Sequence, residues 1–202
     1  MHSMNEPAEP RTRLRTIVVF SILLAVFGGV ILLAYFATFS RPVTTVILVR
    51  HADKIIEPNP DPDLSPAGLE RAQEIARVFG DSGVNAIYAT QFKRTQQTVR
   101  PLADRISLPV TVLEANQTEQ LVNRILTDHR GQTVFVAGHN NSVPAIVSAL
   151  SGESYPVIPE SEYDNLFIVT IYRFGKAKVV KMKYGAHSTQ GVGTGTMVPL
   201  NK

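Results

Sequence analysis

The run Val46-Ile47-Leu48-Val49, leading straight into Arg50-His51, constrains the fold more than any other stretch. Four consecutive apolar residues, three of them β-branched, read as a strand covered on both faces, as in a parallel sheet packed between helices. A strand that ends in Arg-His carries two functional side chains to the carboxyl edge of such a sheet, where open α/β sheets bind ligands. Taken alone, the stretch also fits a strand whose tip bears solvated polar residues. The decision rests on what the other strands deliver.

Thr133 to His139 repeats the pattern, an apolar strand ending in a second histidine. Between the two, Ser65 as N-cap and Pro66 in the first turn open a helix with Leu69, Ala72, Ile75, Ala76 and Phe79 at helical spacing and Gly80 at its end. A short strand over Ala86–Ala89 follows. A helix from about Phe92 carries Val99, Leu102, Ala103 and Ile106, with Pro101 predicting a kink or break. Val110–Leu113 reads as a strand, Glu119–Thr127 and Ser142–Leu150 as helices. Leu166–Arg173 and Lys178–Lys183 read as antiparallel strands joined at Gly175. Alternating strands and helices predict an α/β fold, a three-layer sandwich on a mostly parallel central sheet.

Ile17 to Phe39 is 23 residues without a charge, about 34 Å as a helix against a hydrocarbon core of about 30 Å. It reads as one N-terminal transmembrane helix. The rival, a cleaved signal peptide, has an apolar region of about 7–15 residues before a small-x-small site, whereas this run is longer and ends in aromatics suited to an interface. Arg11, Arg13 and Arg15 precede it and Arg41 alone follows closely, so the positive-inside rule puts the N-terminus in the cytoplasm and the rest outside, in a periplasm or at a cell surface. The predicted organisation is a disordered arm over 1–16, the span over 17–39, a folded domain over 43–185 close to the bilayer, and a loose tail over 186–202.

The formal charge of +3 and pI near 9.3 do not indicate a nucleic-acid partner. Four arginines and two glutamates stand before Pro42, which leaves 16 basic against 15 acidic residues in the folded part. The absence of cysteine excludes disulfides, thiolate metal sites, a cysteine nucleophile and a lipidated cysteine.

In a parallel sheet the strand ends share one rim, so Arg50, His51, His139 and Arg94, the last at a helix start, are expected to converge. Two guanidinium groups match phosphate oxygens in bidentate fashion, and a helix N-terminus adds donors. Arg50-His51-Ala52, Leu64-Ser65-Pro66-Ala67-Gly68, Arg94-Thr95-Gln96-Gln97-Thr98 and Gly138-His139-Asn140-Asn141-Ser142 together resemble the signature of the histidine phosphatase superfamily, the phosphoglycerate-mutase-like fold, over about Thr44 to Tyr184. The resemblance implies that His51 is the nucleophile that becomes phosphohistidine, that Arg50 and Arg94 clamp the phosphate, and that His139 completes the pocket, with no cofactor and no metal. The usual Arg-His-Gly is here Arg50-His51-Ala52, so that turn needs no positive φ.

The leaving-group acid stays open at this point: Glu114, near the position of the mutase branch's glutamate, Asp53, or none, with water or the substrate supplying the proton. Asn140 and Asn141 fit helix caps, and Asn141 is also placed to offer its backbone N–H to phosphate. His129 at a helix end reads as structural. The expected function is a membrane-anchored phosphatase of phosphate monoesters, acting on a phosphorylated small molecule or a glycan or lipid head group. Alternatives are a phosphomutase, a non-catalytic module that binds a phosphorylated ligand, and a metal hydrolase built on His51, Asp53 and His139, which the neighbouring arginines disfavour. Specificity is assigned to the Ile55–Asp63 loop and the Ser151–Tyr163 insert.

Overall fold

The uncharged run lies within a single helix, α1 (Pro10–Phe39), in the computed structural model, which describes residues 10–39, 43–172 and 176–188. Residues 10–16, expected to be disordered, are therefore helical. Proline suits a first helical turn, Arg and Leu are good helix formers, and adding residues to an existing long helix carries no nucleation cost. Arg13–Phe36 is long and apolar enough to cross a membrane, a test that a signal sequence near the N-terminus also passes. Residues 1–9 of the arm, the turn at Gly175 and residues 189–202 of the tail lie outside the described residues. α1 falls in a unit of residues 1–41, and residues 42–202 form a second.

In the second unit the elements are β1 (Thr44–Arg50), α2 (Pro66–Phe79), β2 (Val84–Thr90), α3 (Lys93–Ile106), β3 (Val110–Leu113), α4 (Thr118–Asp128), β4 (Thr133–Gly138), α5 (Ser142–Ser151), β5 (Asn165–Ile171) and β6 (Ala177–Lys183). They build one six-stranded sheet in the order β3-β2-β4-β1-β5-β6. β3, β2, β4 and β1 run parallel, while β5 and β6 are antiparallel additions on the β1 side.

Period-two alternation sorts the strand residues between two cores. Val46, Leu48, Val134, Val136, Phe167 and Val169 face α4 and α5, where Ile125, Val143 and Val147 are buried. Ile47, Val49, Phe135 and Ala137 face the other way, onto Ile75 and Phe79 of α2 and Val99 and Leu102 of α3. This is the expected three-layer sandwich.

Two local expectations need correction. Leu69 is half exposed, and its place on the buried face of α2 is taken by Gly68 and Arg71. α3 is not broken at Pro101. One lost backbone bond is outweighed by burial of Val99, Leu102 and Ala103, each worth up to a few kcal/mol.

The loop after β1 is held to the start of α2. The Ser65 side chain caps Gly68 N–H, and the Asp53 carbonyl accepts from Ser65 N–H at 2.9 Å. The first turn of α2 lies so close to this carbonyl that a Cβ at position 68 would collide with the Asp53 oxygen. Arg71, 4% exposed, donates from Nε to Asp53 Oδ2 at 2.7 Å and from Nη1 to the carbonyls of Tyr184 (3.0 Å) and Ala186 (2.9 Å). Ser188 Oγ accepts from the backbone N–H groups of Tyr163 and Asp164. The segment 186–188 is thus tied to the domain, not loose, because the carbonyl of Ala186 and the hydroxyl of Ser188 both serve buried donors. Gly68→Ala is expected to cost about 1–3 kcal/mol through overpacking against backbone that cannot yield, read as a lowered melting temperature; an unchanged melt would refute the close approach.

Candidate active site

The register of β1 against β4 builds the site. Val49 pairs with Ala137 and Arg50 with Gly138, and His51 N–H continues the ladder to the Gly138 carbonyl at 2.9 Å. The residues just beyond, His51 and His139, consequently stand side by side with ring centroids 5.6 Å apart. Gly138 leaves little room for a side chain, since a Cβ there would meet Ser142 Oγ at 2.8 Å and Val143 Cγ2 at 3.1 Å at the start of α5. On the other side of β4, β2 ends at Thr90 and hands over to α3, which brings Phe92 and Arg94 to the same rim.

A cleft of about 310 Å³ opens at this rim, lined by Arg50, His51, Lys54, Phe92 and Arg94 on one part and by Ala115, His139, Asn140, Asn141 and Glu160 on the other. The four side chains expected to converge do converge. His51 Nδ1 lies 2.8 Å from the Ala52 carbonyl. A carbonyl only accepts, so Nδ1 carries the ring hydrogen and Nε2 keeps its lone pair. His139 Nε2 lies 2.9 Å from Thr90 Oγ1, which in turn lies 2.8 Å from Thr95 Oγ1. Its ring also packs edge-on against Phe92, at 5.3 Å.

Both imidazoles are neutral near pH 7. Burial holds the His51 ring at about 3, and Arg50, His139 and Arg94 push the same way, while the hydrogen bond to Ala52 opposes them. Burial likewise lowers His139 to about 4, aided by Arg94 and Arg50 and opposed by Glu160.

Arg50 is 1% exposed. Its Nη1 is shared among the carbonyls of Pro159 (2.9 Å), Glu160 (2.8 Å) and Glu162 (3.0 Å), and its Nη2 donates to Glu160 Oε2 at 2.6 Å. The Tyr163 ring lies 4.2 Å from the guanidinium carbon. Arg94 rests on Phe92 at 4.3 Å and lies 3.7 Å from Asp61. The Nε of each arginine is buried without a hydrogen-bond partner. Two orphaned cationic donors lining one cleft suit an anionic ligand that satisfies both.

The remaining expected residues separate. Asn141 lines the cleft, but its side chain caps Ser142 N–H. Asp53 is not in the cleft lining, because its carboxylate is engaged by Arg71; a metal reading with His51 and His139 loses its carboxylate for the same reason. Glu114 is exposed and lines a small neighbouring cavity, with Ala115 alone reaching the cleft. His129 is structural, bonded to Tyr88 Oη and Gln132 Oε1 at 2.8 Å each.

The acidic side chain in the cleft lining is Glu160, which the sequence did not single out. Its Oε1 also accepts from Asn140 Nδ2 at 2.8 Å. The signal lay only in the Ser151–Tyr163 insert, to which the sequence assigns specificity. That insert has no periodicity by which to place one residue of it.

The family model of the histidine phosphatase superfamily, branch 1, matches residues 46–117. No curated protein matches the sequence. Among solved structures, the protein histidine phosphatase SixA complexed with tungstate is 21% identical, covering 69% of this chain and 96% of its own, with a TM-score of 0.56. A mycobacterial glucosyl-3-phosphoglycerate phosphatase is 14% identical, covering 68% and 97%, with a TM-score of 0.56. A phosphoserine phosphatase mutant from Entamoeba histolytica in complex with phosphoserine is 15% identical, covering 67% and 94%, with a TM-score of 0.55. At such identities the likeness establishes the fold. The matched residues run from β1 through β3 and take in the elements that deliver His51 and Arg94, so over this stretch the chain is similar to the histidine phosphatase superfamily.

Proposed function

We propose that this chain is a phosphatase that hydrolyses phosphate monoesters through a phosphohistidine at His51, and that α1 anchors it in a membrane with residues 43–188 on the outer side. One observation carries the catalytic reading. The Nδ1–H of His51 is committed to the Ala52 carbonyl, which leaves a lone pair on Nε2 of a ring in the same cleft as two arginines with unpartnered Nε donors. The reading of α1 rests on the uncharged run and on the arginines before it.

The ester dianion sits against Arg50 and Arg94. Nε2 of His51 attacks phosphorus in line as the bond to the leaving oxygen breaks, and water later attacks the phosphohistidine to release inorganic phosphate. Phosphoryl transfer asks mainly for positioning and for charge stabilisation on the equatorial oxygens. The dianion also offsets the arginine charges that depress His139, which raises the proton affinity of that ring and favours its donating to phosphate.

Glu160 takes the place left by Glu114 and Asp53 as leaving-group acid. When phosphate engages Arg50, the Glu160 carboxylate gives up that contact and is free to take a proton from solvent. It then gives that proton to the leaving oxygen and recovers one from the water that attacks the phosphohistidine.

His51→Ala is expected to lower turnover of phenyl phosphate by on the order of 10³ or more while the melting transition persists; undiminished turnover would remove His51 as nucleophile. Glu160→Gln should lower kcat for alkyl phosphates by roughly 10²–10⁴ and spare an aryl phosphate with a good leaving group. An equal loss on both esters would deny it the role of acid.

The lowered histidines set the pH dependence. Corrected for the ester's own ionisation near about 6, kcat/KM should hold as pH falls through 6.5 and decline only toward about 4 and 3. Over that window the unfolded chain binds more protons on these rings than the folded one. Folding stability therefore falls as pH drops from 6.5 and is unaffected by them above it. Urea titrations at pH 7.5 and 5 check the sign.

A further inference from the structure

Of the three cations that line the cleft, Lys54 is the one that the reaction above does not use. It stands three residues beyond the nucleophile, on backbone that is fixed. Lys54 pairs with Leu64 in an isolated antiparallel bridge, Ile55 N–H donates to the Asp63 carbonyl at 2.9 Å, and Leu64 N–H donates to Gln97 Oε1 at 2.9 Å. The residue is half-buried, and its ammonium has no hydrogen bond or ion pair among the described residues.

That isolation is not for want of acids. Asp53 is taken by Arg71 at 2.7 Å, Asp61 accepts from Lys93 N–H at 2.9 Å, and Asp63 accepts from Gln97 Nε2 at 2.8 Å. Glu160, across the cleft lining, is held by Arg50 at 2.6 Å and by Asn140 at 2.8 Å. Each of these carboxylates is thus engaged elsewhere, and Lys54 lines the cleft without a counter-charge among the described residues. The cleft, at about 310 Å³, falls in the range of sites that take a whole small molecule, so a phosphoryl group on His51 leaves room beside it. The two arginines match the two charges of that phosphoryl group, and Lys54 remains for something else.

Resting on the phosphatase reading, we propose that Lys54 forms a subsite for a second anionic group on the ester, a carboxylate or a second phosphate. The preferred substrates are then phosphate monoesters of acidic alcohols, or bisphosphates, rather than neutral phosphorylated alcohols.

The test uses the full chain in detergent and pairs of esters that differ in one charge: phosphoglycolate against ethyl phosphate, and propane-1,3-diyl bisphosphate against propyl phosphate. The unmodified protein should favour the doubly anionic member of a pair by roughly tenfold or more in kcat/KM, the effect of a hydrogen bond to a charged group, and mainly through KM. The two pairs separate a carboxylate from a phosphate as the second group. Lys54→Met should bring the discrimination ratio close to one, and Lys54→Arg should keep it.

A ratio unaltered by Lys54→Met, or no preference in the unmodified protein, overturns the subsite. So does an equal fall on every ester, which would place Lys54 at the phosphoryl group itself. If no ester is turned over, the phosphatase reading fails. The subsite is then judged from calorimetric affinities for phosphoglycolate and ethyl phosphate, where equal values for the two reject it.

Discussion

The pairing of β1 with β4 is the constraint on which the site depends. A slip of one residue would move every side chain of a strand to the other face of the sheet. Here such a slip would exchange Val46 and Leu48, packed toward α4 and α5, with Ile47 and Val49, packed toward α2 and α3. Both sets are at most 3% exposed, and both helical layers are shaped to them. Hydrophobic sorting thus fixes the register, and the register puts Arg50 opposite Gly138. The adjacency of His51 and His139 follows from the core without any polar contact having to enforce it.

Arg50 is where core and site meet, and burying it has consequences elsewhere in the chain. A guanidinium withdrawn from water is tolerable only when its donors are met. Three carbonyls and one carboxylate meet those of Nη1 and Nη2, all from residues 159–162, a stretch with no regular structure of its own, and Nε alone is left open. The arginine proposed to contact phosphate is therefore also what orders the wall of the cleft. Arg71 does the same elsewhere, joining Asp53, two residues beyond His51, to the carbonyls of Tyr184 and Ala186. In both places an irregular segment is ordered by one buried cation collecting carbonyls, a device that needs no pattern in the segment itself.

This explains what the sequence could and could not disclose. β1, β4, α2 and the convergence of Arg50, His51, Arg94 and His139 were legible because periodicity, capping and strand direction are local rules with few solutions. The break offered at Pro101 does not occur because its local penalty is outweighed by the burial of Val99 and Leu102. Asp53 and Glu114 were plausible acids by position along the chain. Yet a carboxylate's role depends on which cation reaches it, and Arg71, eighteen positions from Asp53, is invisible to a local rule. Glu160 was hidden for the same reason in reverse. Its place is set by Arg50, 110 positions away, and nothing in Pro159-Glu160-Ser161-Glu162 announces that partner.

The electrostatics of the resting cleft bear on turnover as well as on binding. Arg50 and Arg94 repel one another, and their field adds to the burial that keeps His51 and His139 unprotonated. Glu160 relieves that repulsion with a carboxylate placed on Arg50 at 2.6 Å. A phosphorylated ligand must therefore replace an anion that is already bound, so its net affinity is the difference between two charge-assisted contacts rather than the whole of one. The same competition acts on the product. In the proposed reaction, inorganic phosphate cut from His51 faces a tethered carboxylate that returns to Arg50 without having to diffuse, and this favours release over retention. A clamp made of arginines alone would hold substrate more tightly and product just as tightly, and tight product binding limits turnover.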